Sequence, residues 1–485
     1  MENQIYFLSQ NLALLLIIII SSLFALIGIL YSIKHYGLSN YLTAGRNVET
    51  LSLTTSLVAS ALGAWILFGP ASAATWGGIG SVIGYSLGTA FPMIAFIFLG
   101  TKIRKVFPKG NTLTEFIYRK FGKNIFKLVL ILVIFYMFIF LCAEVTAVSM
   151  LVNYISGTPL WLTATLVIVT TLTYTLYGGL RASILTDNIQ FFIVITLLFI
   201  SLYYLFFLNA DNLSFEDIQT NSSHLLSLQY IPNYTAGLTF FIAVAATNLF
   251  HQGNWQRIFA AKDNEVLKKS LLFSFIIIIP IVFFMGISGI MAVSMDDNVN
   301  PDLAFFSILL KDKTDFLSII IIILAVSLTI STIDTLVNAI SSIIIVDGKK
   351  IYTQSIQNNF LGLSKVLIII LSCISLVVAS KGYSILYLFL LADLLCCAAV
   401  FTVFYGFYQK NFKEKNSMIS ILLGLFLGLL LFPSPDFSKS ILVGIMLPLD
   451  LFPQIVSSSL LFWSFLLATV GPVIVIMSYD SFKGR

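Results

Sequence analysis

The number and length of its apolar runs constrain this chain most. A helix of roughly 20 apolar residues crosses the hydrocarbon of a bilayer. Thirteen such runs occur, at about 11–33, 52–77, 80–100, 125–153, 160–177, 184–207, 235–256, 270–294, 316–346, 362–380, 383–407, 417–432 and 454–478. Lipid cannot bond a bare peptide group, so only helices or closed barrels span it. Barrel strands alternate apolar and polar residues, and these runs do not. The sequence therefore predicts an all-α polytopic membrane protein with 13 transmembrane helices. Its 58% hydrophobic and 10% charged residues agree, since soluble domains carry about 25% charged residues. The first run is read as a retained helix: its leader has no Lys or Arg, the run is too long for a signal peptide, and no A-x-A site follows.

Charge placement gives the expected topology. With the N-terminus outside and the C-terminus cytoplasmic, all but four of the 27 lysines and arginines fall inside. The exceptions are Lys311, Lys313, Lys381 and Lys439. That is the positive-inside pattern of a multi-pass protein of the cell inner (plasma) membrane. The net charge of +5 is then mainly a topology signal, with attraction to the lipid bilayer as an addition and no nucleic-acid partner implied. No soluble domain of 50 or more residues is left over, and no G-x-x-x-x-G-K-[ST] loop argues for ATP drive. Cys142, Cys373, Cys396 and Cys397 lack C-x-x-C spacing, and the three histidines show no H-E-x-x-H.

Two runs are interrupted. The second holds Gly63, Gly69, Pro70 and then "TWGGIG"; the seventh ends in "TNLFHQGNWQR". Each opens a block of five spans, 52–207 and 235–407, and five is odd, so the blocks sit in opposite orientations. Glycine and proline are common in membrane helices, but a matched pair of breaks points to a transport site at the repeat interface. The chain is read as one transmembrane domain over 1–485: an extra helix (11–33), two inverted repeats, and two further helices (417–478).

The stretch "LAVSLTISTIDTLVNAISSIII" (324–345) sets Ser327, Ser331, Asp334, Thr335, Asn338 and Ser342 on one helical face. An Asp at the bilayer centre costs ~2.5–3.5 kcal/mol even on the lenient insertion scale, so it faces a cavity or a partner. Hydroxyls alone would read as helix–helix bonding; with Asp334 the stripe reads as an ion or solute path. Glu144, Asp187 and Asp393 also lie at membrane depth. Lys and Arg are absent from the inner parts of the runs, so no fixed cation is expected to neutralise these acids. Asp187 has the alternative of pairing with Arg181, and Asp393 stays open between structural and functional roles.

Four segments carry a family resemblance. "TLYGGLRASILTDNIQ" (175–190), "RNVETLSLTTSLVASALGAWILFGPASAATWGG" (46–78), "HQGNWQRIFAAKD" (251–263) and "LTISTIDTLVNAISSIIIVD" (328–347) occur in order at suitable intervals. Together they resemble the sodium/solute symporter family, in its bacterial, proline/urea-type branch rather than its sugar branch. The resemblance implies a leucine-transporter-like inverted five-helix repeat and sodium-driven uptake by alternating access. It implies a Na⁺ site at the carbonyls of Ala59, Leu62 and Leu328 and the hydroxyls of Ser331 and Thr332. It also implies a possible second cation at Asp187, Asp334 and Thr335. Substrate contacts are implied near Gly63, Trp65, Asn248, His251 and Gln252, with Glu144 added from its depth in "LCAEVTAV".

The expected function is a secondary active symporter, not an enzyme, taking up a small polar organic solute (urea, an amino acid or an amine-like compound). Na⁺ is the coupling ion, and no organic cofactor is expected. A pocket without Lys or Arg disfavours a carboxylate clamped by a side chain, and the buried acids favour a neutral or amine-bearing solute. A proton-coupled version, a sensor or receptor subunit on a transporter fold, and a membrane-embedded enzyme using Asp187, Asp334 and Glu144 as acid–base groups are the alternatives.

Overall fold

The computed structural model describes residues 6–35, 37–208, 221–227, 229–296, 298–311, 314–351, 360–409, 414–435, 437, 439–443 and 454–483. The stretch between the apolar runs 184–207 and 235–256 therefore lies partly outside the described residues. Among these residues the fold is all-helical, with two isolated bridges and no named strand.

The principal helices are α1 (Gln10–Lys34), α2 (Thr50–Ala61), α3 (Gly69–Val106), α4 (Leu113–Phe121), α5 (Lys123–Ser156), α6 (Leu160–Tyr203), α7 (Ile231–Phe250) and α8 (Gln252–Ala260). They continue as α9 (Asn264–Met295), α10 (Asp315–Ile351), α11 (Phe360–Ala379), α12 (Ile385–Gly406), α13 (Glu414–Leu431) and α14 (Leu460–Lys483). Ten of them are long and apolar enough to cross a membrane: α1, α3, α5, α6, α9, α10, α11, α12, α13 and α14.

The expectation of thirteen separate runs and the ten long helices differ for a physical reason. The runs at 160–177 and 184–207 are one continuous element, bent at Gly179 (φ 60°, ψ −155°). Most of 69–106 is likewise one helix, bent at Gly78 (φ 54°, ψ −154°). Both positions need a left-handed φ that costs glycine little, so each bend redirects the chain without a loop. The runs at 52–77 and 235–256 are instead truly interrupted, into α2 followed by a short turn and into α7 followed by α8.

Inner and outer helices differ in burial. The most apolar window of α10 is 83% buried within the protein, whereas that of α6 is 22% buried. Leucine, isoleucine and phenylalanine on α6 and α1 instead face outward, as in Phe199 and Leu30. α3 packs along both α7 and α9, α10 lies along α6, and α12 lies along α5 and α7. α2 packs on α6 and α9, and α7 packs on α3 and α12 while Ile231, Tyr234 and Leu238 face outward. α13 and α14 pair with each other on the outside of α12.

Candidate functional site

α2 stops at Ala61. Leu62 (φ −98°, ψ 83°) and Gly63 (φ −83°, ψ −177°) leave the helical region, Ala64–Leu67 form a 3₁₀ turn, and α3 restarts with Pro70 in its first turn. Proline there costs no helical bond. Ending a helix frees amides and carbonyls that need partners away from water. The amides go to Glu144 of α5: Ala64 N–H donates to its Oε2 (2.9 Å) and Trp65 N–H to its Oε1 (3.4 Å). Glu144 therefore supports the break from behind and is not among the residues lining the nearest cavity.

Gly63 is where the elements converge. A Cβ there would meet Glu144 Oε1, lie 2.6 Å from Thr332 Oγ1 and 2.8 Å from the Trp65 ring. The unwound segment after α2 thus touches α10 at Thr332, beside the hydroxyl stripe. Thr332 Oγ1 donates to Leu328 O (3.2 Å), so this hydroxyl and this carbonyl are adjacent. Ala59 and Leu62 carry the last carbonyls of α2. The described residues contain no group of three or more His, Cys, Asp or Glu fit to hold a metal. Neutral carbonyls and hydroxyls are hard oxygen donors, which suit a small hard cation held weakly enough to leave.

Below this point lies a polar network with no exposure to solvent. Asp187 of α6 accepts from Arg257 Nη2 (2.6 Å), Ser56 Oγ (2.6 Å) and Ser331 Oγ (2.6 Å). Arg257 also donates to Ser56 Oγ (2.7 Å), Thr335 Oγ1 (2.9 Å) and Gly253 O (3.1 Å). The expectation that no fixed cation reaches the buried acids is corrected here: Arg257 is 0% exposed and paired. It sits on α8, which the break at His251 turns into the protein, so a residue that reads as a loop base is a core base. Arg181, the alternative partner, instead donates to Asn40 and to Ala44 O. Asp334 answers its own puzzle. It accepts from Tyr174 (2.6 Å), Ser183 (2.8 Å), Thr186 (3.2 Å) and Thr335 (3.4 Å), tying α10 to α6 by hydroxyls alone.

On the other side of the break is a small cavity of about 30 Å³, room for roughly one or two waters. Trp65, Asn248 and His251 line it, as expected for substrate contacts; so do Ser60, Thr247 and Asp393. Its apolar walls are Tyr85, Phe140, Phe389 and Val244. Asp393 accepts from Thr247 Oγ1 (2.6 Å) and has no ion-pair partner among the described residues. His251 Nδ1 is buried with no hydrogen-bond partner among the described residues. Gln252 points elsewhere: it accepts from Leu113 N–H (3.1 Å) and donates to Asn111 O (3.2 Å) and Ser342 Oγ (3.3 Å). Sequence reasoning left Asp393 open and missed Thr247, Tyr85, Phe140 and Phe389. Asp393 was the available signal, as an acid in the middle of "LLADLLCCAAV".

The end of the molecule rich in lysine and arginine is tied together by a backbone bridge and side-chain hydrogen bonds. Val48 pairs with Ala261 as a bridge (Val48 N–H to Ala260 O 3.1 Å, Lys262 N–H to Val48 O 3.0 Å). Arg46 donates to Gly110 O (2.6 Å), and Arg104 to Ala261 O (2.8 Å). Asp347 of α10 accepts from Thr112 (2.9 Å), Thr114 and Lys350 (2.9 Å), fixing the start of α4. At the opposite end a cavity of about 440 Å³ opens among Trp76, Asp302, Ser384 and Phe437.

Comparison with known proteins adds the following. A family model described as the sodium:solute symporter family matches residues 41–424. A spermidine transporter of Candida albicans is 27% identical over 413 residues, 82% of this chain and 77% of that one. A urea active transporter of Saccharomyces cerevisiae is 26% identical over 169 residues, 33% of this chain and 22% of that one. Among solved structures, a substrate-bound, outward-open Na⁺-coupled sialic acid symporter superposes with a TM-score of 0.73 at 15% identity, covering 96% of both chains. A nucleobase-cation-symport-1 family transporter in a closed conformation, with bromovinylhydantoin bound, gives 0.52 at 13% identity, over 91% of this chain and 96% of that one. At these identities the two structures show a shared fold.

Proposed function

The chain belongs to the sodium:solute symporter family, a family of membrane transporters and not of enzymes, and from that premise we propose that it couples inward Na⁺ flow to uptake of a small amine-bearing solute. Sodium as coupling ion is supported by the family and by the Na⁺-coupled symporter that shares the fold. Na⁺ binds the carbonyls of Ala59, Leu62 and Leu328 with the hydroxyls of Ser331 and Thr332. The solute's ammonium binds Asp393, with Trp65, Tyr85, Phe140 and Phe389 around it. Aromatic faces and one carboxylate suit a cation, and Asn248 and His251 supply further polar contacts. The observation that carries the reading is the shared break: Gly63 touches Thr332 on one side, and Trp65, two residues on, lines the cavity on the other. Two ligands that order one unwound segment favour the same conformation, which is what coupling requires.

Thirteen crossings follow when the bends at Gly78 and Gly179 and the interrupted helices are counted as separate segments, arranged as two inverted repeats over 52–207 and 235–407. The basic end is cytoplasmic and the end with the large cavity faces outside, with the N-terminus outside and the protein in the plasma (inner) membrane. In the conformation described, the inner end is latched. The central cavity is too small for an organic solute, so its walls move apart on loading.

In place of the possible second cation at Asp187, Arg257 acts as a fixed one. A second reading rests on one observation: Asp187 and Asp334 share a network with a single guanidinium, linked through Thr335. The unbalanced charge admits a proton or a second cation at Asp334, which Asp334→Asn would remove from the transport stoichiometry.

The test is uptake into proteoliposomes with and without an inward Na⁺ gradient, comparing amines, urea and neutral amino acids. Sodium-driven amine uptake that falls at least about tenfold in Asp393→Asn, at equal folded protein, is expected, the weight of one charge-assisted contact. Uptake of urea or amino acids alone, unaffected by Asp393→Asn, would overturn the assignment.

A further inference from the structure

At the basic end, three cations stand together without a carboxylate. Lys102 lies near the end of α3, and Arg119 and Lys120 lie in the last turn of α4. None of them makes an ion pair among the described residues. Acids on neighbouring elements are engaged elsewhere. Glu115 accepts from Asn111 N–H (3.2 Å) and faces Lys350 (3.5 Å), and Glu414 accepts from Asn124 N–H (2.7 Å). The partners of the three cations are neutral. Lys102 Nζ sits 3.5 Å from the centre of the Tyr408 ring, the Arg119 guanidinium lies 4.0 Å over Phe107, and Lys120 Nζ donates to Gln409 O (2.6 Å). An ammonium has three donors and a guanidinium five, so all three keep donors for an anion.

The three side chains line one cavity of about 310 Å³. Its other walls are apolar: Leu99, Ile103 and Val106 of α3, with Phe107, Phe116 and Phe407. No acid lines it. At about 30 Å³ per water-sized group, it holds roughly ten such groups, enough for a phosphate with part of a glycerol. Phe91 and Phe98 are exposed on the face of α3 that also carries Lys102 and Val106. They extend the apolar wall from the cavity toward the middle of the membrane. A small soluble anion would gain nothing from these walls, and a neutral lipid would gain nothing from the cations. A molecule with an anionic head and apolar chains gains from both.

We propose that this cavity binds the headgroup of an anionic phospholipid, with its phosphate among Lys102, Arg119 and Lys120 and its acyl chains along Phe98 and Phe91. The bound lipid bridges α3, α4 and the segment after α12. Thr112 and Thr114, at the other end of α4, hold Asp347 of α10, so a lipid that fixes the last turn of α4 supports the latch at its first. The site is independent of which solute is carried.

The experiment titrates the full chain in neutral detergent with dioleoylphosphatidylglycerol or dioleoylphosphatidylcholine and counts bound lipids by native mass spectrometry. The two lipids share their acyl chains and differ in net charge. One phosphatidylglycerol is expected to bind at least about tenfold more tightly than phosphatidylcholine. Each basic group near a lipid charge is worth about fivefold, which puts the ceiling for three near a hundredfold. K102Q/R119Q/K120Q should bring the two lipids level. K105Q/K109Q, which removes two exposed lysines of the same end that do not line the cavity, should leave the preference intact. Val106→Trp fills the cavity without changing a charge and should also weaken phosphatidylglycerol at least about tenfold. Equal binding of the two lipids by the wild type overturns the proposal, as does a loss in K105Q/K109Q as large as in the triple variant, the mark of diffuse attraction. Unchanged binding in Val106→Trp places the lipid elsewhere and overturns it too. Glycerophosphoglycerol, the headgroup without chains, is expected to bind far more weakly; binding as tight as that of the lipid would make this a site for a soluble anion instead.

Discussion

Removing Arg257 should injure this protein in a way that removing its partner repairs. Arg257→Met keeps most of the side-chain volume and deletes four bonds, to Asp187, Ser56, Thr335 and Gly253 O. Asp187 is then left with two neutral hydroxyls in a site without solvent. Breaking a buried pair by removing one partner costs about 3–5 kcal/mol. Asp187→Asn alone leaves an uncompensated guanidinium and costs a similar amount. The double variant removes both charges; its loss is expected to be about 3 kcal/mol, from the remaining hydroxyl and carbonyl groups without partners. The two single losses sum to about 6–10 kcal/mol and exceed the double by at least about 3 kcal/mol, at or above the upper end of measured couplings between neighbours. Reversible unfolding in mixed detergent micelles, followed by circular dichroism, reads all four proteins. Additive losses would refute the claim that this guanidinium and this carboxylate neutralise each other in the core.

Three further outcomes follow from the same geometry. Ser331→Ala with Thr332→Ala is expected to raise the sodium concentration for half-maximal transport while the folded amount stays near wild type; unchanged sodium activation would remove these hydroxyls from the ion site. Gly63→Ala puts a methyl against Glu144, Thr332 and Trp65 at once, so sodium-dependent binding should fall together with solute binding, and loss of only one would contradict a shared break. Asp347→Asn weakens the latch with Thr112, Thr114 and Lys350, and should make a cysteine placed at Asn111 more reactive to a membrane-permeant thiol reagent; unaltered reactivity would count against a seal at this end.

Particular residues show what could be read from the chain. The apolar runs gave the membrane class because hydropathy over 20 residues is a local property, and the breaks at Gly63 and His251 were legible from glycine and polar residues inside such runs. Asp334 was visible as an acid on a hydroxyl stripe, although its four donors come from α6 and from its neighbour Thr335. Arg257 was not legible. Every residue of α8 from Gln252 to Ala260 is buried, yet its composition is that of a loop, since polar groups that satisfy one another leave no apolar signature. Gln252 looked like a substrate ligand for the same reason and faces the latch beside α4 instead. Asp393 and Thr247 lie 146 positions apart, and only the packing of α12 on α7 brings them together. The bends at Gly78 and Gly179 fall where one apolar run ends and the next begins; what apolar length does not reveal is that a glycine with positive φ joins the two runs into one helix without a loop.

The measurement that bears most directly on coupling at the Gly63 break runs transport in reverse dependence. Proteoliposomes with equal sodium on both sides are given an inward gradient of an amine that the protein binds, and radiolabelled sodium is followed. Net sodium uptake against no sodium gradient is expected, abolished in Ser331→Ala/Thr332→Ala. Amine accumulation with no accompanying sodium movement would contradict the account.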